Sequence, residues 1–312
     1  MKTDSDDQTN SEPMLQIKLQ KAFDQLVPNR VQICQVRRIS GGCISHAFQV
    51  RATLPEGDEV DFFVKSNHQQ FVDNYRCEWN GLTAIERTGT IRVPRLIASG
   101  IVEDEAWLIL EWVQRGKKTS KFFESFGREL ATMHLTTRGH EIGWGQDNYL
   151  GASLQRNQAK QNWPDFFASQ RITMQIRMAS DQYDLPQSFL SQLEKIAAAM
   201  GSVLQGSEPE TSLIHGDLWS GNLLSDEEGK PVLIDPAVYR GNREAEFGML
   251  RLFGNCPALF YDSYHESFPL ADGWENRCNV YVLYHLLNHL NLFGLSYLED
   301  CKRMCSTILS ER

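Results

Sequence analysis

The sequence predicts an α+β chain of two lobes, in which a small β-rich lobe precedes a larger and mainly helical one. Five short stretches with strand patterning and one helical stretch fill residues 31–111. Beyond them helical spacing dominates, and one clear hairpin interrupts it. We expect a short disordered tail over 1–14, a first lobe over 15–112 and a second lobe over 113–312.

The composition describes a folded chain and excludes several classes of protein. Of its 312 residues, 41% are hydrophobic and 23% are charged. A net charge of −9 disfavours broad binding to nucleic acids or anionic membranes. No apolar run approaches the ~18 residues of a membrane span. The acidic N-terminus does not resemble a secretory signal, and the seven scattered cysteines predict free thiols, so we expect a cytoplasmic protein.

The first lobe is predicted from alternating apolar residues and from the turns between them. A helix over 13–26 comes first. The Gly-Gly pair at 41–42 and the Pro-Glu-Gly-Asp sequence at 55–58 are typical of turns between strands. The predicted order is three strands, a helix and two strands, at 31–39, 46–54, 60–65, 74–87, 93–98 and 106–111.

The second lobe carries amphipathic helices. Apolar stripes predict helices over 121–135 and 187–200, and 277–298 is apolar on most sides. This last segment is either one buried helix or two helices joined at Gly294. The hairpin is predicted from 222–225 and 232–234, on either side of a polar turn.

The strongest chemical signal lies at this hairpin. Residues 214–222 read IHGDLWSGN, and Asp235 follows thirteen residues after Asn222. The pattern matches the catalytic loop of protein kinases, H-x-D-x-x-x-x-N, with its later metal-binding Asp. Since paired strands lie about 4.8 Å apart, Asn222 and Asp235 can reach one Mg²⁺. Asp217, on the turn before the hairpin, would accept a proton from an attacking hydroxyl.

A candidate nucleotide loop lies between the first two predicted strands. Its glycines allow close approach to phosphate oxygens, and its bare backbone N–H groups supply hydrogen-bond donors. Taken alone the motif is weak, because a Gly-Gly pair is also typical of a plain hairpin turn. The candidate residues are Gly41, Gly42, Cys43, Ile44 and Ser45.

Further candidate residues follow in the order in which a kinase presents them. Lys65 closes the third predicted strand, and Glu78 follows on a helix, close enough to pair with it. Backbone groups of Glu111, Trp112 and Val113 would bind adenine at the junction of the lobes. With the loop and hairpin motifs, this order predicts a kinase-like fold that uses ATP and Mg²⁺.

Other chemistries find less support in the sequence. His285 and His289 have the spacing of a zinc-binding helix, but no Glu lies between them, which favours core or capping histidines. The chain has no G-x-S-x-G elbow, and no dinucleotide fingerprint follows its first strand. A metal-dependent hydrolase would fit the His-Gly-Asp triplet but lacks further ligands.

The sequence resembles the fructosamine/ketosamine-3-kinase family, a branch of the aminoglycoside-phosphotransferase-like kinases. The resemblance covers about residues 15–300. It is carried by HGDLWSGN at 215–222, DPAVYRGNRE at 235–244, LLNHLNLFG at 286–294 and the middle segment from QRN at 155–157 to Arg171. It implies a two-lobed protein-kinase-like fold and transfer of phosphate from ATP to the 3-hydroxyl of a ketosamine. Because that phosphate would lie on the carbon next to the C2 carbonyl, its elimination would free the glycated amine.

The resemblance also implies roles for individual residues. Asp217 would be the proton acceptor, and Asn222 with Asp235 would hold Mg²⁺. Lys65 would contact the α and β phosphates, oriented by Glu78. The substrate side chains would be Trp219, which offers a flat face or merely packs, and His215. The partner would be a small or protein-bound ketosamine, and the chain would be a monomer or homodimer.

Two departures and two alternatives accompany this resemblance. Glu246 stands where the family usually has Asp, and Cys43, shared with part of the family, is either a redox switch or a small residue beside phosphate. The substrate could instead be another hydroxylated small molecule, such as an aminoglycoside or choline. A nucleotide-binding pseudokinase is the non-enzymatic alternative.

Overall fold

The computed structural model describes residues 11–39, 44–254 and 256–310. The chain divides into two compact units, 1–80 with 94–114 and 81–93 with 115–312. The break after 114 lies two residues from the predicted lobe boundary, whereas 81–93 group with the second unit. The first helix begins at Ser11, within the tail that the sequence predicts over 1–14. Residues 1–10 of that predicted tail lie outside the described residues.

The first unit is a five-stranded antiparallel sheet with a helix, α1, packed on it. The strand order is β1-β2-β3-β5-β4. Phe23 of α1 meets Phe62 of β3 edge to face, with ring centroids 5.1 Å apart, inside the core. The elements are α1 (Ser11–Leu26), β1 (Gln32–Ile39), β2 (His46–Thr53), β3 (Glu59–His68), α2 (Val72–Glu86), β4 (Leu96–Val102) and β5 (Glu105–Glu111); α2 continues into the second unit.

All five predicted strands of this unit are present, but β4 is displaced. The sequence predicts it at 93–98, and it lies at Leu96–Val102. Pro94 has no N–H to donate to a strand ladder. The residues before it belong to the second unit, where the carbonyl of Arg92 accepts from the N–H of Leu233 at 2.9 Å.

The second unit is built around one long buried helix, α10. Nearly every residue between Arg277 and Asn291 is buried. Phe126 and Phe260 stack at 4.7 Å between α3 and α9. The elements are α3 (Ser120–Thr136), β6 (Asn148–Leu150), β7 (Ser153–Gln155), α4 (Trp163–Phe166), a π-helical segment (Phe167–Ile172), α5 (Thr173–Gln182), α6 (Gln187–Ala198), α7 (Met200–Val203), β8 (Ser212–Ile214), β9 (Leu223–Ser225), β10 (Pro231–Leu233), β11 (Tyr239–Gly241), α8 (Glu246–Phe253), α9 (Ala258–Ser267), α10 (Trp274–Phe293) and α11 (Leu298–Ser310).

The helical predictions hold, and the strands of this unit are more numerous than expected. The segment over 277–298 is two helices joined at Gly294, whose φ of 96° ends α10. The predicted hairpin is β9–β10. Two further strand pairs, β6–β7 and β8–β11, are too short to stand out in the sequence. Within the described ranges every cysteine is a free thiol, as predicted. No helix found there is both long and apolar enough to cross a bilayer.

Buried histidines make the second unit sensitive to acid. Burial lowers the pKa of His285 to about 3, whereas an unfolded chain has a histidine pKa of about 6.5. Between these values the unfolded state binds a proton that the native state does not. The free energy of unfolding should therefore fall as the pH drops below 6.5, by about 1.4 kcal/mol per pH unit for this residue.

We expect His285→Gln to flatten this dependence. Urea unfolding between pH 7.5 and 5 measures it, and His140→Gln, at an exposed ring, is the matched control. An unchanged slope in His285→Gln would contradict the assignment.

Candidate active site

The loop over 215–222 connects two short strands of the second unit, and the segment after β10 lies against it. β8 pairs with β11, and β9 pairs with β10. The N–H of Ile234 donates to the carbonyl of Asn222 at 3.1 Å, and the N–H of Ala237 donates to the carbonyl of His215 at 2.9 Å. At Gly216, with φ of 81°, a Cβ would lie 2.2 Å from the carbonyl oxygen of Ala237. The close approach of the two segments thus requires glycine there.

Asp217 has the surroundings of a proton acceptor. Asn222 Nδ2 donates to the Asp217 carbonyl at 2.8 Å and to its Oδ2 at 3.1 Å. Desolvation raises the pKa of Asp217 to about 7, and the nearby Asp235 carboxylate contributes to the rise. Within the described chain Oδ1 accepts no hydrogen bond, so this oxygen is available to a substrate hydroxyl.

Asn222 and Asp235 have the donor atoms that a magnesium ion prefers. Both offer oxygen, and because the Asn222 N–H groups bind Asp217, its Oδ1 is left as an acceptor. Asp235 has a φ of 57°, unusual for a residue other than glycine. No group of three or more His, Cys, Asp or Glu side chains that could hold a metal occurs in the described ranges. Magnesium sites with one or two protein ligands complete their shell with phosphate and water oxygens, so the two residues fit this ion.

His215 makes hydrogen bonds within the fold at both ring nitrogens, and its contact with a substrate stays a prediction. Its ring is fully buried. Nδ1 accepts from the N–H of Asp217 at 3.2 Å, so Nε2 carries the proton that is donated to the carbonyl of Ile234 at 2.9 Å. Burial lowers the pKa of the imidazole, which agrees with this neutral tautomer. His215 joins the loop that bears Asp217 to the segment that bears Asp235.

Glu246 is the functional residue that the sequence reasoning undervalued. Its carboxylate, 1% exposed, accepts from the backbone N–H of His215 at 2.5 Å and of Gly216 at 3.1 Å. The substitution for the family's usual Asp therefore lies at the anchor of the loop. Glu246 follows Arg243 by three residues in the sequence, but no local pattern shows what its carboxylate binds.

A buried polar chain continues from Glu246 into the helices. His134 Nε2 lies 3.6 Å from the Glu246 carboxylate, and His134 Nδ1 lies 2.7 Å from the Tyr264 hydroxyl. Arg243 donates to the same hydroxyl at 3.0 Å and pairs with Glu208 at 2.7 Å. The loop is thus supported by side chains from α3, α8 and α9.

The segment after Asp235 accepts hydrogen bonds from amide side chains of the β6–β7 hairpin. Asn148 donates to the carbonyl of Val238 at 2.8 Å, and Gln155 donates to that of Ala237 at 3.1 Å. The Arg171 guanidinium lies 4.1 Å from the centroid of Tyr239, in the strand that follows. The middle segment of the resemblance therefore supports the loop that follows Asp235.

Trp219 packs within its own loop. A Cβ at residue 221 would lie 2.4 Å from the indole, so the ring lies over the backbone of Gly221. The indole remains partly exposed. Packing of one face is therefore observed, and contact with a substrate stays a prediction.

Lys65 and Glu78 form a buried pair in the first unit. Lys65 Nζ lies 2.8 and 2.9 Å from the two Glu78 carboxylate oxygens. Asn67, further along β3, donates to the carbonyl of Ile44 at 2.9 Å and approaches the Ser45 hydroxyl at 3.5 Å. The other predicted residues of the nucleotide loop, Gly41, Gly42 and Cys43, lie outside the described residues.

The predicted adenine-binding stretch ends β5. The Glu111 carboxylate accepts from the N–H of Arg95 at 2.9 Å, so this side chain has a local structural role. Trp112 Nε1 donates to the Gln114 side chain at 3.0 Å, and Val113 is buried. A role for their backbone groups in binding adenine stays a prediction.

The architecture is that of the small-molecule phosphotransferases related to protein kinases. A macrolide 2′-phosphotransferase of Brachybacterium faecium aligns with a TM-score of 0.57 over 95% of this chain and 98% of its own. At 12% identity this likeness concerns the fold alone. It confirms the predicted kinase-like fold.

A model of the fructosamine kinase family matches residues 15–311, and the chain belongs to that family. A Synechocystis protein described as a probable ketoamine kinase is 36% identical over 90% of this chain and 92% of its own. A chloroplastic protein-ribulosamine 3-kinase of Arabidopsis thaliana is 35% identical over 85% and 80%. A crystal structure from Thermobifida fusca, described as a "putative fructosamine-3-kinase", has a TM-score of 0.80 at 31% identity, over 94% of this chain and 98% of its own. The chain is thus a phosphotransferase that acts on hydroxyl groups.

Proposed function

We propose that this protein transfers the γ-phosphate of ATP to the 3-hydroxyl of a ketosamine. One observation carries the proposal in a chain of the fructosamine kinase family: Asn222 donates to Asp217, and its carbonyl accepts from Ile234, the residue before Asp235. Asp217 Oδ1 would take the hydroxyl proton. Asn222 and Asp235 would hold Mg²⁺, which neutralises charge on the phosphates when bound. In the first unit, Lys65, fixed by Glu78, would bind the nucleotide phosphates.

Aromatic side chains beside the loop support a bulky organic acceptor. The N–H of Ser220 donates to the carbonyl of Phe253 at 3.3 Å, and the Phe253 ring lies 5.2 Å from that of His289. Phe293 and Tyr297 extend this cluster, and Phe293 is 45% exposed. Such rings suit the apolar stem of a glycated amine. Resemblance to ketoamine and ribulosamine kinases favours a ketosamine over an aminoglycoside or choline.

The chemical outcome would be repair of a glycated amine. Loss of a proton from C1 forms the 1,2-enaminol and makes the C3 phosphate allylic, so the C3–O bond breaks and inorganic phosphate leaves. Water then hydrolyses the unsaturated adduct and frees its amine. Deglycation is therefore the purpose we propose for the reaction.

ADP release with Mg·ATP tests the proposal. We expect turnover of fructosyl-lysine or ribulosyl-lysine, none of unglycated lysine, and loss of turnover when EDTA removes the metal. Phosphorus NMR should place the new phosphate on C3. Turnover of an aminoglycoside or choline alone would assign a different acceptor, and ATP binding without any turnover would favour a pseudokinase.

A further inference from the structure

The segment over 115–121, which reads RGKKTSK, is a cluster of cations without counterions. Arg115, Lys117, Lys118 and Lys121 are all exposed. None of the four forms an ion pair with any residue in the described ranges. Elsewhere in the same unit cations do pair, as Arg92 does with Asp226 at 2.6 Å. We call residues 115–121 the basic segment.

The basic segment is fixed against the catalytic loop and its hairpin. The N–H of Gly116 donates to the carbonyl of Ser225 at 2.8 Å, and the Ser225 hydroxyl donates to the carbonyl of Lys117 at 3.1 Å. Lys118 Nζ donates to the carbonyl of Ser220 at 3.0 Å. Ser220 lies three residues after Asp217, so the ammonium group lies beside the loop that carries the candidate base.

Two charges of the basic segment, those of Arg115 and Lys118, are close enough to repel one another. Desolvation lowers the pKa of the Lys118 ammonium where it lies beside the loop, and the positive charge of Arg115 acts in the same direction. Since an ammonium has three donors, the bond to Ser220 leaves two for a ligand. A bound anion would relieve this repulsion.

We propose that Arg115, Lys117 and Lys118 form a subsite for an anionic group on the acceptor, either a carboxylate or a phosphate. The inference rests on the proposed function. The carboxylates of Asp217 and Asp235 would repel an anionic acceptor, and the basic segment offsets that repulsion. A free glycated amino acid supplies a carboxylate, whereas an adduct of a sugar phosphate supplies a phosphate.

Three acceptors that differ in one anionic group test the subsite. They are the fructosyl adduct of Nα-acetyl-lysine, the same adduct as its carboxamide, and the carboxamide with a phosphate on the sugar C6. We expect kcat/KM for one anionic acceptor to exceed that of the neutral carboxamide roughly threefold to fivefold, as for a partly exposed ion pair. In Lys118→Met and Arg115→Met this ratio should fall towards one. Lys195→Met, at an exposed lysine of α6, is the matched control and should keep it.

A second measurement does not depend on turnover. Acetylation of Lys118 by an amine-specific reagent, read by mass spectrometry, should decrease with an anionic adduct and not with the carboxamide. Acetylation of Lys195 should not change. If no ketosamine is phosphorylated, the proposed function fails and the labelling alone decides on the subsite.

Three results would overturn the subsite. The first is equal kcat/KM for the neutral and both anionic acceptors, or a preference that survives in Lys118→Met. The second is equal labelling of Lys118 with neutral and anionic adducts. The third is a raised KM for ATP with an unchanged acceptor ratio, which would assign the basic segment to the nucleotide.

Discussion

Replacing Asp217 by Asn should lower kcat by about 10²- to 10⁴-fold and leave the free energy of unfolding nearly unchanged. The amide oxygen can still accept from Asn222 Nδ2, which keeps the 3.1 Å contact, but an amide does not take up a hydroxyl proton. Initial rates of ADP release with the ketosamine that the protein turns over best measure the loss, and urea unfolding measures the stability.

Glu228→Gln is the matched control for this substitution. Glu228 is an exposed carboxylate on the turn between β9 and β10, so its loss changes the charge of the same hairpin without touching the loop. Turnover by Asp217→Asn at the rate of Glu228→Gln would remove Asp217 from the role of base.

Replacing Glu246 by Gln should destabilise the protein by about 2–4 kcal/mol and lower kcat at least tenfold. Each carboxylate oxygen accepts one backbone N–H, from His215 and from Gly216. An amide offers one oxygen, so one buried N–H loses its partner, at a cost of about 1–3 kcal/mol, and the amide's own N–H adds a second conflict. Urea unfolding and initial rates measure the two effects.

Glu246→Asp distinguishes the effect of the carboxylate charge from that of side-chain length. It keeps two acceptor oxygens but is one methylene shorter, so we expect it to recover more than half of the lost stability. A Glu246→Gln variant as stable and active as the unaltered protein would show that this carboxylate does not anchor the loop.

Short sequence motifs predict the three central residues of the candidate site. Asp217, Asn222 and Asp235 lie on one turn and one hairpin, and the spacing of the hairpin follows from strand pairing. The kinase-like fold was also predictable from local patterns. Alternating apolar residues place each strand of the first unit close to where the structure has it.

The residues that sequence reasoning missed act over long separations. Glu246 binds backbone groups 30 and 31 positions earlier, and no local pattern encodes such a contact. His215, for which substrate contact stays a prediction, makes hydrogen bonds within the fold at both ring nitrogens, and no local pattern predicts these contacts. The predicted β4 extends across Pro94, which has no N–H for a strand ladder. The observed strand therefore begins after it, at Leu96.

The neutral His215 bridge has a consequence for how the reaction would start. One ring nitrogen binds the turn that carries Asp217, and the other binds the residue before Asp235. Neither backbone segment can shift far without breaking one of these hydrogen bonds, so the two segments are fixed relative to each other before any ligand arrives. The orientational entropy of these groups is lost during folding rather than at each turnover. Replacement of His215 would then mainly change the activation entropy of phosphoryl transfer.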